Sequence, residues 1–167
     1  MSPWWPGIAL LVFVTAQRLV ELPVARANTR RLLAAGGHEV APLHYPFIVM
    51  LHASWLATLW WLAPGEPIDL GFLALFALAQ AGRVWVLRTL GPRWTTRIIV
   101  VPGESLISDG PYRFVGHPNY LVVVAEIALL PLVFGLGQVA MLFSAMNAAL
   151  LSIRITAEQR ALDGLRR

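Results

Sequence analysis

The run Gly110-Pro111-Tyr112-Arg113-Phe114-Val115-Gly116-His117-Pro118-Asn119-Tyr120 gathers an imidazole, two phenols, a guanidinium and an amide between long apolar segments. Such groups are costly beside a bilayer unless function retains them. Gly110-Pro111 reads as a turn. Pro118 disfavours the αR region for His117, which predicts an extended or polyproline conformation there, and Pro118 itself suits the first position of a helix. The start of that helix would offer free N–H groups and a partial positive charge, suited to a carboxylate or an electron-rich ligand. The competing reading is a polar cap at a membrane interface, with Tyr and His as belt residues.

Arg154 and Glu158 form a second pair able to do chemistry. At i and i+4 they share one helical face. One reading is an ion pair on a C-terminal helix surface. The other turns Arg154 toward an anionic substrate and Glu158 toward a hydroxyl or amine of a cofactor. Glu126, Arg18, Glu21, Gln80 and Arg83 lie inside apolar segments, where ionisable groups mark sites or interhelical pairs. Pairing of Glu126 with Arg18 or Arg83 is favoured over a catalytic role. His44 and His52 have no carboxylates at ligand spacing, so no metal site is expected. No Ser–His–Asp or phosphate-loop pattern occurs.

Five apolar segments position these groups, at about residues 4–22, 45–63, 68–90, 119–134 and 138–155. A spanning helix needs about 20 mostly apolar residues, and the fourth segment is short. Ala63-Pro64-Gly65-Glu66-Pro67 and Gly135-Leu136-Gly137 read as tight connectors. The first segment has no basic residue before it and no small-residue cleavage site after it, so an uncleaved helix is expected. Trp4 and Trp5 read as interfacial anchors. Residues 156–165 read as an amphipathic continuation of the fifth helix, ending on Gly164.

Arginines fall in the alternate connections: Arg26, Arg30 and Arg31; then Arg88, Arg93, Arg97 and Arg113; then Arg154, Arg160, Arg166 and Arg167. The positive-inside rule makes that side cytoplasmic and the N-terminus external. The expected fold is therefore all-α, an integral membrane bundle of about five transmembrane helices. It carries a cytoplasmic cofactor-binding loop and a C-terminal helix. One domain is expected over residues 1–167, with the cofactor-binding part at about 91–167.

Composition agrees. The chain is 57% hydrophobic and 13% charged, against about 25% charged in soluble domains. Its net charge of +4 comes from Arg at segment ends rather than on one polar face, so no nucleic-acid partner is expected. With no Cys there is neither a thiolate nucleophile nor a disulfide.

Gly110-Pro111-Tyr112-Arg113, His117-Pro118-x-Tyr120, Glu126 and Arg154-Ile155-x-x-Glu158 together resemble the isoprenylcysteine carboxyl methyltransferase family, over residues 93–162. The resemblance implies an integral membrane methyltransferase using S-adenosylmethionine and releasing S-adenosylhomocysteine. It implies cofactor binding by Tyr112, His117, Pro118, Asn119, Tyr120 and Glu158, with backbone from residues 102–110. It also implies catalytic orientation of the acceptor by Arg154 and Arg97. Gln17-Arg18-Leu19-Val20-Glu21-Leu22, the Arg30/Arg31 loop, Leu51-His52 and Arg93-Trp94-Thr95-Thr96-Arg97 look like a bacterial branch that O-methylates alkylpyrones and alkylresorcinols and is associated with type III polyketide synthases. That resemblance implies the bacterial inner membrane, a lipophilic acceptor and surrounding membrane lipid. Gly116, Val122 and Gln159 depart from the family pattern, where a basic residue, a Gly and a second Glu are usual. They weaken prenylcysteine specificity more than methyl transfer.

Two other readings compete. Phospholipid-type N-methylation would want acidic groups around an amine, whereas Arg154 and Arg97 favour an anion. A non-enzymatic scaffold or transport subunit would carry a polar stripe through several spans, whereas polar groups are expected to collect at one boundary.

Overall fold

A computed structural model describes the backbone of residues 5–165 and the side chains of residues 5–161. Trp4, Arg166 and Arg167, which enter the sequence reading as anchor and tail charges, lie outside the described residues. The described residues form five α-helices: α1 (Trp5–Ala34), α2 (Tyr45–Leu62), α3 (Leu70–Leu90), α4 (Pro118–Val133) and α5 (Gly137–Leu165). Two strands of two residues each, β1 (His38–Glu39) and β2 (Ile99–Val100), complete the regular structure with three 3₁₀ turns. Four helices are long and apolar enough to cross a membrane. The fourth in sequence, α4, has 16 residues and rises about 24 Å, short of a hydrocarbon core of about 30 Å.

Local chemistry sets the ends. Asp69 caps α3, its carboxylate accepting from the N–H groups of Gly71 and Phe72 at 2.8 and 3.0 Å. Its own N–H donates to Val133 O at 2.8 Å, so the start of α3 also closes the end of α4. One end differs from expectation. Helix α1 continues past residue 22 to Ala34, because apolarity marks where lipid ends and not where Arg- and Ala-rich helix ends. Helix α5 continues over residues 156–165 as expected and reaches Leu165.

Helix α4 packs between α3 and α5. The core joins Leu11 and Val14 of α1, Trp55 and Leu59 of α2, Phe76 of α3, Ile127 and Leu130 of α4, and Phe143 of α5. The outward faces are as apolar as the core, with Phe13, Val20, Leu78, Met141 and Leu142 all exposed. Such a surface is stable only with lipid as solvent, and the chain is an integral membrane protein. Trp5 and Trp61 stand exposed near helix ends, as in an interfacial aromatic belt.

Polar groups do not all collect at one boundary, contrary to the sequence expectation. Glu126 of α4, 1% exposed, accepts from both Arg18 of α1 (2.7 Å) and Arg83 of α3 (2.9 Å). Arg83 also grips Glu21 through two nitrogens, at 2.7 and 2.5 Å, and Gln80 donates to Glu126 at 2.9 Å. Two guanidiniums and two carboxylates thus balance inside the bundle. The four charges pair mutually, with Arg18 Nε left without a partner among the described residues, and do not form a stripe across the spans.

Candidate active site

Three parts of the chain meet at one end of the bundle: residues 35–44, residues 91–117 and the last turns of α5. Strands β1 and β2 join the first two antiparallel, with His38 opposite Val100 and Glu39 opposite Ile99. Gly37 permits this closeness, since a Cβ there would stand 2.7 Å from Leu32 O. Asn28 of α1 donates to Trp94 O at 2.8 Å and fixes the start of the second connection. The turn Gly110–Arg113 seats on α3, where Gly110 has φ 56 and a side chain would collide with Thr89.

Against this frame α4 and α5 bring Tyr120, Arg154 and Glu158 together. Arg154, 7% exposed, donates through Nε to Tyr120 Oη at 2.9 Å and through Nη2 to Thr96 O at 2.9 Å. Tyr120 in turn donates to Glu158 Oε2 at 2.5 Å. The i, i+4 pair is therefore no surface ion pair but two ends of a partly buried relay through one phenol. The His117 ring stacks on Tyr120, with centroids 5.3 Å apart, and its Nδ1 lies 3.7 Å from Glu158 Oε2. His117 has φ −133 and ψ 63. It avoids αR as the following proline requires, but it is neither extended nor polyproline. Burial, helped by the Glu158 carboxylate, pushes the Tyr112 phenol up to about 12, so it stays protonated at neutral pH.

Two cavities open here. One, of about 260 Å³, is lined by Tyr112, His117, Glu158 and the chain at residues 98–101 and 104–107. The other, of about 300 Å³, runs into the bundle between apolar side chains such as Leu22, Ile48, Leu56, Val123 and Leu151. They share a wall made of Trp94, Thr95, Asn119, Tyr120 and Arg154.

Of the residues expected at the site, Tyr112, His117, Asn119, Tyr120, Arg154 and Glu158 all line the polar cavity. Pro118 is buried at the first position of α4 and lines neither cavity, so it acts by starting the helix. Arg97 lines the polar cavity, but its Nη1 is 2.7 Å from Glu39 and its guanidinium lies 4.5 Å from the Tyr45 ring centre. Arg154 and Arg97 thus differ in charge balance, because Arg97 has a carboxylate partner while Arg154 meets a phenol and a carbonyl. Sequence reasoning missed the role of Trp94, Thr95 and the Thr96 carbonyl. They entered the sequence reading only as part of a resemblance, and the β1–β2 pairing together with the Asn28–Trp94 and Tyr45–Thr96 hydrogen bonds brings that strip under Arg154.

The sequence profile of the isoprenylcysteine carboxyl methyltransferase (ICMT) family matches residues 72–164. The chain is 38% identical over 173 residues to a protein of Bacillus subtilis (strain 168) named "Uncharacterized protein YpbQ", with 96% of each chain covered. No solved structure matches. The matched residues run from α3 to α5 and hold the whole Tyr120–Arg154–Glu158 relay, and the chain belongs to the isoprenylcysteine carboxyl methyltransferase family.

Proposed function

We propose that the protein is a membrane-embedded O-methyltransferase that uses S-adenosylmethionine and methylates an oxygen of a lipophilic acceptor. The observation that carries this reading is the shared wall: a polar cavity and an apolar cavity meet at Asn119, Tyr120 and Arg154. A two-substrate transfer between a water-soluble and a lipid-soluble molecule needs such a meeting point.

The polar cavity suits a zwitterionic sulfonium nucleoside. Glu158 shows 28% of its side chain and His117 27%, and Glu158 Oε1 has no hydrogen-bond partner among the described residues. That free oxygen can accept from an amine or a ribose hydroxyl. Tyr112, neutral and half-buried, offers an aromatic face and a hydroxyl, and the chain at 98–107 offers backbone groups. When bound, the cofactor supplies an electrophilic methyl, released to the acceptor oxygen as the C–S electrons pass to sulfur.

The chain's own groups align and desolvate the attacking oxygen. A carboxylate or a pyrone enolate is anionic at neutral pH and needs no base. Arg154 stands at the shared wall to hold that anion, and its hydrogen bond to Tyr120 couples it to Glu158 in the cofactor cavity. For a phenolic hydroxyl the same cation lowers the acceptor's pKa. An amine acceptor is disfavoured beside Arg154. Arg97, already paired with Glu39, serves the cavity rim. The Arg-rich end, with the site, faces the cytoplasm of a bacterial inner membrane.

The test is isothermal titration of the purified protein with S-adenosylhomocysteine. Wild type is expected to bind, and His117→Ala or Glu158→Ala to lose binding while remaining folded. Normal affinity in both variants would reject this site. Acceptors are then screened by methyl transfer to alkylpyrones, alkylresorcinols and prenylcysteines.

A further inference from the structure

The turn before α4 has two faces. Tyr112, Gly116 and His117 line the polar cavity, whereas Arg113, Phe114 and Val115 line neither cavity and are exposed. The Phe114 side chain is 71% exposed. Apolar groups exposed side by side mark a contact with lipid or protein. The outward face continues onto α3. The Phe114 ring centre lies 6.4 Å from that of Trp85, which is also exposed, and the Arg113 guanidinium lies 5.2 Å from the centre of the Phe114 ring. Leu78, Trp85 and Arg88 follow one another on α3 at steps of seven and three residues, so they form one exposed stripe. Arg88 stands about 4.5 Å beyond Trp85 along the axis. From aliphatic side chain through indole to guanidinium, the stripe follows the order in which a bilayer passes from hydrocarbon to headgroup.

Charge decides what this face meets. Arg93 and Arg97, on the same side of the membrane, are paired with Glu104 and Glu39, and Arg154 is held by Tyr120 and the Thr96 carbonyl. Arg88 and Arg113 have no carboxylate partner among the described residues. Two guanidiniums without a counter-ion beside an aromatic pair fit a phosphodiester, whose oxygens match the planar donor fork. A second copy of this chain is a poorer fit, because Glu39, Glu104 and Glu158 at this end are already engaged with Arg97, Arg93 and Tyr120. A free phosphate is poorer too, since it would leave Phe114 and Val115 in water.

We propose that Arg88 and Arg113, with Trp85 and Phe114, bind the headgroup of an anionic phospholipid, and that the bound lipid holds the turn in the form the polar cavity needs. The second half of this statement rests on the methyltransferase reading. Tyr112 precedes Phe114 by two residues and His117 follows it by three, so a lipid that fixes the outer face also fixes the inner one. Lipid and cofactor then strengthen each other's binding, as linkage requires of any two ligands that favour one form.

The experiment places the full chain in nanodiscs of phosphatidylcholine alone or of an equal mixture with phosphatidylglycerol. Native mass spectrometry of protein released from the mixed discs is expected to show phosphatidylglycerol retained in preference to phosphatidylcholine. An arginine near an anionic surface contributes about 5-fold, so the double variant Arg88→Gln, Arg113→Gln should lower the preference by roughly 5- to 25-fold. Arg30→Gln, which removes an exposed arginine from α1, should leave it unchanged. All three side chains are exposed, so thermal unfolding should match wild type. S-adenosylhomocysteine titrated into both discs should bind at least about 5-fold more tightly in the mixed ones, and the double variant should lose that difference. Equal retention of the two lipids by wild type, a preference kept by the double variant, or one lost equally in Arg30→Gln would overturn the lipid site. A wild-type dimer that the double variant breaks, with no lipid retained, would overturn it in favour of a second copy. Retained lipid with one cofactor affinity in both discs would overturn the coupling. No cofactor binding in either disc rejects the methyltransferase reading, while the retention data still decide the lipid site.

Discussion

Tyr120 holds the site together because its single hydroxyl both accepts from Arg154 and donates to Glu158. Tyr120→Phe removes both bonds and leaves the ring, its stacking on His117 and the start of α4 intact. Methyl transfer is expected to fall by roughly 10- to 100-fold, the range set by losing about 1.5–3 kcal/mol of hydrogen bonding to charged groups. Cofactor affinity should change far less, and turnover measured beside S-adenosylhomocysteine titration checks this split. Tyr112 makes a second prediction. Its phenol keeps its proton up to about pH 12, whereas an unfolded tyrosine releases it near 10.0. Between these values the unfolded chain binds fewer protons, so stability falls as pH rises through that window and is untouched below it. Tyr112→Phe should flatten this alkaline slope in thermal unfolding. At this scale the sequence was most legible where residue types are rare in lipid: His117, Tyr120, Arg154 and Glu158 stood out against apolar neighbours.

At the scale of elements, α4 is held by charge as much as by packing. Glu126→Leu would leave Arg18 and Arg83 facing each other with only Glu21 to share. Breaking a buried pair in this way typically costs about 3–5 kcal/mol. Thermal unfolding in detergent should show a loss of that order, and Glu126→Gln, which keeps acceptor capacity, a smaller one. The turn before α4 has its own weak point. Gly110→Ala would force a Cβ into the left-handed region and against Thr89, costing at least about 1–3 kcal/mol and displacing Tyr112. The helices themselves were readable from apolar runs, and Glu126 from its place inside one. The end of α1 was not, because water-side turns carry no hydropathic signature. The β1–β2 contact was also invisible, since two residues per strand give no alternation to read.

For the whole molecule, the distribution of arginine predicts which end faces which compartment. The chain contains no cysteine, so a single introduced one is a unique label. Glu66→Cys, in the connector between α2 and α3, should react with an impermeant maleimide in intact cells. Ser105→Cys, at the polar cavity, should react only after the membrane is opened. The reverse pattern would reject the orientation and with it access of a cytoplasmic cofactor. The buried ionic network has a consequence for how the bundle enters the membrane during synthesis. Helix α1 arrives first, carrying Arg18 and Glu21 3.4 Å apart on one face, a pair that neutralises itself while it waits. Helix α3 then delivers Arg83 and leaves the nascent bundle one positive charge in excess. Only the arrival of Glu126 on α4 removes that excess, so a chain interrupted before α4 exposes an uncompensated cation to lipid. Such a chain bears its own mark of incompleteness, legible to membrane quality control without any contact with the active site.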